Sequence, residues 1–259
     1  MRIVSFTAND APVKGYLHDD HDRLVAHRTR PAVIVCAGGC YRWLSPREKD
    51  PVALAFAAMG YQAFLLEYST AERASGCRPL RELAETVRTV RANAAEWRIE
   101  PDHIAVLGFS AGGHLAASLG VLWDDPELSL GADCRPDALA LCYPVVTTGE
   151  FAHRESVENV TGNDAALMEK LSLERHVTAQ MPPTFVWHCV GDESVPVENT
   201  LLLTTAMQRA GVPYECHLFA GGAHGVSMCD QEVETPYPAI AAWVGLCKTW
   251  LNQRFQFTP

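Results

Sequence analysis

Ser110 stands in Gly108-Phe109-Ser110-Ala111-Gly112, directly after the apolar run 103–109 and before a helical stretch that continues through His114-Leu115-Ala116-Ala117. This is GxSxG in the context of a strand, a sharp turn and a helix. The glycines permit a strained turn and leave space beside the serine, whose Oγ is lifted above the sheet as a nucleophile. The Ala111 N–H then lies at a helix amino terminus, where it can meet negative charge developing on a carbonyl oxygen. The chemistry implied is attack on an acyl carbon. It needs a base to take the serine proton and an acid to orient the base.

On scaffolds that carry this elbow, the order along the chain is Ser, then Asp or Glu, then His. Asp192 follows the run 184–190 at once, in Val190-Gly191-Asp192-Glu193-Ser194-Val195-Pro196, and Glu193 is its rival. Among ten histidines, His224 lies on a glycine-flanked loop, Gly221-Gly222-Ala223-His224-Gly225, after the last strand-like run. His18, His21 and His27 come too early in the chain. His188 and His217 lie inside strand-like runs, and His114 sits one helical turn past the serine, where packing against the sheet is expected. His153 and His176 fall in a long insertion and could touch substrate. The loop Ala37-Gly38-Gly39-Cys40-Tyr41-Arg42-Trp43 follows the run 32–37, and its glycines would let backbone N–H groups face a developing oxyanion, although a plain glycine turn reads the same way.

These residues need a scaffold, and the apolar patterning supplies one. Runs at 2–7 and 13–18, turned by Asn9-Asp10-Ala11-Pro12, predict two early strands followed by a polar loop over 19–30. Runs at 32–37, 61–68, 103–109, 138–143, 184–190 and 214–219 predict six more, and the first five of these are nearly continuous in apolar character, as expected of strands covered on both faces. Between them, Ser45-Pro46-Arg47-Glu48 predicts a capping box opening a helix that ends near Gly60. Leu83, Val87, Val90, Ala94 and Trp97 mark one apolar helix face, and further helices are expected over 111–123, 197–210 and 239–254. The alternation implies an α/β fold, a mostly parallel sheet of about eight strands with helices on both faces, in one domain over 1–259. The polar segment 147–181 breaks the rhythm and is the expected lid or cap insertion.

With 21 Lys plus Arg against 31 Asp plus Glu, the chain of 259 residues carries a formal charge of −10. Such a balance weighs against nucleic-acid and anionic-membrane partners. No apolar run reaches the roughly 18 residues of a membrane helix, and MRIVSFTAND does not read as a secretory signal. Nine cysteines without a CxxC pair argue against zinc ribbons and thioredoxin-like chemistry. Those at 36, 142, 189 and 216 lie in apolar runs, as free thiols of a cytoplasmic protein would.

The stretches AGGCYRWLSPRE, GFSAGGHLAA, PPTFVWHCVGDESVPVENT and FAGGAHGVSM, in that order over nearly the whole chain, resemble the α/β-hydrolases. Within them the sequence is similar to the small esterase/lipase group that includes acetylxylan esterase-like carbohydrate deacetylases. The resemblance implies Ser110, Asp192 and His224 as a triad, with Gly39 and Cys40 donating N–H groups beside Ala111. Cys40 occupies the third place of the usual glycine run, a departure that bears on loop conformation and pocket width.

The resemblance therefore implies a serine carboxylester hydrolase acting on short acyl esters, acetylated sugars or xylo-oligosaccharides in particular, with neither cofactor nor metal. Tyr41 and Trp43 could stack on a sugar face or simply pack the loop. A prolyl-oligopeptidase-like peptidase shares the elbow and the triad order, and a noncatalytic binder on the same fold is the alternative from another class. The expected partner is a small ester, with a homo-oligomer left open.

Overall fold

Asn9 and Asp10 both take left-handed backbone, with φ of 48° and 71°. Asn and Asp tolerate that region, and a turn of this kind matches the twist of the strands it joins. It pairs β1 (Arg2–Ala8) with β2 (Ala11–Leu17) as an antiparallel hairpin. The computed structural model describes residues 1–19, 29–230, 233 and 236–259. Most of the expected polar loop over 19–30, with His21 and His27, lies outside the described residues.

Six further strands follow: β3 (Arg30–Cys36), β4 (Gln62–Leu66), β5 (Ile99–Phe109), β6 (Ala138–Cys142), β7 (Thr184–Cys189) and β8 (Tyr214–Phe219). They form one eight-stranded sheet in the order β1-β2-β4-β3-β5-β6-β7-β8. β2 runs antiparallel to both neighbours, and every pairing from β4 to β8 is parallel. All residues of β4, β6 and β7 are buried, which is why their sequences are apolar without alternation. The edge strand β8 is only half-buried.

The helices are α1 (Asp50–Ala58), α2 (Arg78–Ala92), α3 (Ala94–Trp97), α4 (Ala111–Leu122), α5 (Arg154–Thr161), α6 (Ala165–Lys170), α7 (Glu198–Ala210) and α8 (Pro238–Arg254). One core holds Leu83, Val87 and Val90 of α2, Leu115 and Leu119 of α4, and Leu203 and Met207 of α7. A second core, on the other face of the sheet, holds Val52 and Phe56 of α1 with Trp243, Cys247 and Leu251 of α8. Each buried Leu, Val or Phe contributes about 1.5–3 kcal/mol relative to exposure, so these two layers clamp the sheet and fix the loops at its ends. The single apolar face over 83–97 is divided between α2 and α3 at Asn93, yet both pieces bury the same stripe.

The expected capping box does not form. Ser45 makes no side-chain cap, and Pro46–Glu48 is a 3-10 turn placed before α1. The Ser45 N–H donates to Gly38 O at 2.9 Å, and the Glu48 carboxylate faces inward to accept from Gly38 N at 2.8 Å and Tyr143 Oη at 2.6 Å. With both partners of the box engaged elsewhere, the helix proper starts at Asp50 and ends beside Gly60. Residues 147–181 carry α5, α6 and the 3-10 turn Leu173–Arg175. His153 caps α5 by accepting from Ser156 N, and Asp164 caps α6 by accepting from Leu167 N.

Candidate active site

After β3 the chain turns back to β4 on one side, then crosses to β5 on the other, so β3 and β5 are neighbours whose following loops diverge. In an open parallel sheet this reversal opens a crevice at the carboxyl ends of the strands. Cys36 pairs with Gly108 at the ends of β3 and β5, and Phe109 pairs with Cys142 at the end of β6. The glycine loop 37–45 and the Ser110 turn therefore leave the sheet side by side.

Ser110 has φ 51° and ψ −117°, a backbone region that side chains rarely occupy. Such strain costs of order 1–3 kcal/mol and persists only where the surroundings over-determine it. Here Ser110 N donates to Cys142 O at 2.9 Å, while Ser110 O accepts from His114 N and Val145 N. The flanking glycines are obligatory: a Cβ on Gly108 would lie 2.1 Å from Gly112 O, and one on Gly112 would lie 2.2 Å from Cys36 O.

The structure brings Ser110, Asp192 and His224 together from three loops. His224 Nε2 is 2.8 Å from Ser110 Oγ, and His224 Nδ1 is 2.7 Å from Asp192 Oδ2. In the neutral tautomer that fits, Nδ1–H donates to the carboxylate and Nε2 accepts the serine proton. Asp192 is oriented by its own turn, since its Oδ1 accepts from Ser194 N at 3.0 Å and Val195 N at 2.9 Å. Burial alone would raise its pKa, but hydrogen bonding to His188 and His224 and the backbone donors hold it well below the usual carboxylate range. The rival Glu193 is exposed on the same turn.

The oxyanion candidates sit where a tight turn demands them. Arg42 N and Trp43 N both donate to Gly39 O, at 2.8 and 3.1 Å. Gly39 has φ 127° and no room for a side chain, its Cβ position being 2.2 Å from Trp43 O. Cys40 and Tyr41 follow at φ 57° and 58°, so the glycine usual at position 40 answers a left-handed backbone that Cys40 adopts at a cost. Among the described residues the Gly39 and Cys40 N–H groups make no hydrogen bond, and the Ala111 N–H opens α4. The Cys40 thiol pKa is pushed up by burial and by Glu155.

Two aromatic expectations part company. Trp43 is half exposed and free to meet a ligand, whereas Tyr41 is 1% exposed and has no face to offer a sugar. This corrects its expected substrate contact. The Tyr41 hydroxyl lies 2.8 Å from His114 Nδ1, and His114 Nε2 lies 3.0 Å from Leu171 O. With Nε2 donating to the carbonyl, Nδ1 accepts from the tyrosine. Burial lowers the His114 pKa to about 4.

Other described histidines have partners of their own, among them His103, whose ring stacks on Phe255 with centroids 4.9 Å apart. His18 bonds Ala57 O, His176 bonds Glu169 O, and His217 pairs with Glu215 on the edge strand. His153, half-buried at the start of α5, lies close enough to His224 and Asp192 to feel their charge, with burial the larger influence lowering its pKa. Sequence reasoning placed His188 inside a strand and missed its second role. Its Nε2 lies 2.9 Å from Val195 O and 3.4 Å from Asp192 Oδ2, while Nδ1 lies 2.8 Å from Thr200 Oγ1. A histidine four residues before the candidate acid, within a strand that ends there, was the available signal. Asn159 of α5 was also missed: its Nδ2 donates to Cys40 O at 2.9 Å.

Residues 22–137 match the BD-FAE family model. The chain is 34% identical over 227 residues to endo-1,4-beta-xylanase B of Butyrivibrio fibrisolvens, covering 84% of this chain and 35% of that protein. It thus spans about a third of the length of that curated relative. The crystal structure of an acetyl ester-xyloside bifunctional hydrolase from Caldicellulosiruptor lactoaceticus superposes with a TM-score of 0.83 at 34% identity, covering 96% of this chain and 89% of that one. The carboxylesterase Cest-2923 from Lactobacillus plantarum gives a TM-score of 0.89 at 26% identity over the full length of both chains. An eight-stranded sheet of this order, an elbow after its fifth strand and similarity of this extent lead to one assignment: the chain belongs to the α/β-hydrolase family.

Proposed function

We propose that the protein is a serine carboxylester hydrolase that removes short acyl groups, acetyl above all, from sugars or xylo-oligosaccharides. The observation that carries this reading is the continuous hydrogen-bonded line from Ser110 Oγ through His224 to Asp192, at 2.8 and 2.7 Å. Ser110 Oγ attacks the ester carbonyl carbon while its proton passes to His224 Nε2. The N–H groups of Gly39, Cys40 and Ala111 receive the developing oxyanion. The imidazolium, steadied by Asp192, then returns its proton to the departing alcohol oxygen and leaves an acyl-serine. Water, deprotonated by the same imidazole, releases the acid and restores Ser110.

The choice of a sugar alcohol rests on two supports. The relatives named above act, by their names, on xylan and on an acetyl ester-xyloside. The segment 147–181 is polar where a lipase lid would be apolar, with Glu155 and Glu158 exposed on α5. Trp43 is the aromatic face offered to the sugar. Nine free cysteines suit a reducing compartment, and we place the protein in the cytoplasm on that ground.

The test is a series of aryl esters from acetyl to dodecanoyl, run beside acetylated xylo-oligosaccharides, with fluorophosphonate labelling of Ser110. The expected result is labelling of the wild type but not of Ser110→Ala, and kcat/KM highest for acetyl. A maximum at octanoyl or longer would overturn the carbohydrate assignment, and an unlabelled wild type would overturn the serine mechanism.

A further inference from the structure

We propose that Glu48 is a positioning residue for ester cleavage, holding the oxyanion loop and the histidine loop as one hydrogen-bonded unit beneath Ser110; this rests on the esterase reading above. Glu48 is 2% exposed, on the 3-10 turn before α1. Its Oε2 accepts from Gly38 N at 2.8 Å, on the loop that carries Gly39 and Cys40. Its Oε1 accepts from Tyr143 Oη at 2.6 Å. Tyr143 Oη in turn accepts from Ser227 N at 2.9 Å, three residues past His224, and the Tyr143 ring meets the His224 ring edge to face at 5.1 Å. Ser227 Oγ donates to Arg47 O at 2.8 Å and returns the line to the residue beside Glu48. A single carboxylate thus joins the loop after β3, the end of β6 and the loop after β8.

A carboxylate in such a place is expensive. Burial raises the Glu48 pKa, opposed by the bonds from Tyr143 and Gly38 and by the charges of His224 and Arg47. An apolar side chain would fill the volume without that cost, but it would orphan the Gly38 N–H and cut the link to Tyr143. Gly38 is shaped for this partner, because a Cβ there would lie 2.8 Å from Glu48 Oε2 and 3.0 Å from Ser110 Cβ. Fixing the Gly38 amide fixes the start of the turn from which Gly39 and Cys40 present their N–H groups. The same negative charge lies within electrostatic reach of His224, and so favours the imidazolium that forms when Ser110 gives up its proton.

The experiment compares Glu48→Gln and Tyr143→Phe with the wild type, measuring kcat, KM and the pH profile for an aryl acetate, per active site titrated with fluorophosphonate. The groups facing His224 besides Glu48 are Asp192, His153 and Arg47, whose guanidinium lies against Gly225. His188 acts on it through Asp192, while Tyr143, Cys40, Tyr68 and Cys142 are the titratable groups near Glu48. In Glu48→Gln, kcat is expected to fall about tenfold to hundredfold, with KM within about threefold of the wild type. The acidic limb of the profile should move to lower pH, because the imidazolium has lost a neighbouring anion. Tyr143→Phe keeps that anion, so its limb stays while kcat falls by a smaller factor. Wild-type kcat and profile in Glu48→Gln overturn the proposal, as does a lower melting temperature with kcat per titrated site unchanged. Should Glu48→Gln fail to fold, Tyr143→Phe decides, and wild-type kcat per site there overturns it. Absence of wild-type turnover sinks the esterase reading and this one with it, whereas wild-type turnover with normal variants sinks this one alone.

Discussion

The helices α4, which follows Ser110, and α5, which meets the glycine loop, are built on opposite terms. All twelve residues of α4 are buried, and apolar packing on the sheet locks the strained turn that opens it. In α5 only Ser156, Val157, Val160 and Thr161 are buried, and the helix is held to the site by polar contacts: Asn159 to Cys40 O, and Arg42 to Glu155 at 3.2 Å. An exposed ion pair of that kind contributes little. The difference divides the labour. In the proposed mechanism the nucleophile sits where packing leaves the backbone one arrangement, and the polar side chains of α5 sit on a segment that can be rewritten without disturbing the sheet.

The sharpest break of that division would come from the acid. Asp192→Asn should lower kcat on the order of 10⁴, the loss known for the same exchange in a serine protease, while exposed Glu193→Gln should leave it near the wild-type value. A crippled Glu193→Gln with an active Asp192→Asn would show that the rigid side had been misassigned.

The next effect concerns His114, which ties α4 to Tyr41 of the glycine loop and to Leu171 of the segment 147–181. Its folded pKa of about 4 lies below the ordinary 6.5. The stability that follows is therefore complete above pH 6.5 and is lost as pH falls toward 4, because the unfolded chain binds the proton first. The full loss amounts to about 3 kcal/mol. Urea unfolding across that window should show a steep acid decline in the wild type and a shallower one in His114→Gln. Parallel slopes would remove His114 as the fastening between the two regions.

The smallest effect belongs to α5. Asn159→Ala should lower kcat/KM by about fivefold, the worth of one net hydrogen bond, with the aryl acetate and the sugar ester assayed side by side. A loss approaching that of Asp192→Asn would mean that the insertion matters to the chemistry as much as α4 does.

Much of this was legible along the chain, because strands buried on both faces leave runs such as AVIVCA and ALALCY, and because the Ser110 turn needs glycines at fixed places. What escaped depends on partners distant in sequence. Glu48 reads as a helix cap, and only the approach of Gly38 and Tyr143 turns it inward. Tyr41 reads as either a sugar-stacking aromatic or packing for the glycine loop, and left-handed backbone at Cys40 and Tyr41 sends its ring inward toward Tyr68 and His114. The contact of α5 with Cys40 spans 119 positions and leaves no local pattern.

Seven of the nine free thiols divide between the two faces of the sheet. Cys36, Cys77 and Cys134 lie in the core of α2 and α4, and Cys142, Cys189, Cys229 and Cys247 lie in the core of α1 and α8. Burial pushes all of their pKa values up, so in the native state they are protonated and shielded from alkylating reagents. The protein thereby carries a built-in clock for each half of its interior. Peptide-resolved alkylation rates would report whether the two layers open in a single event or one before the other, with no label introduced.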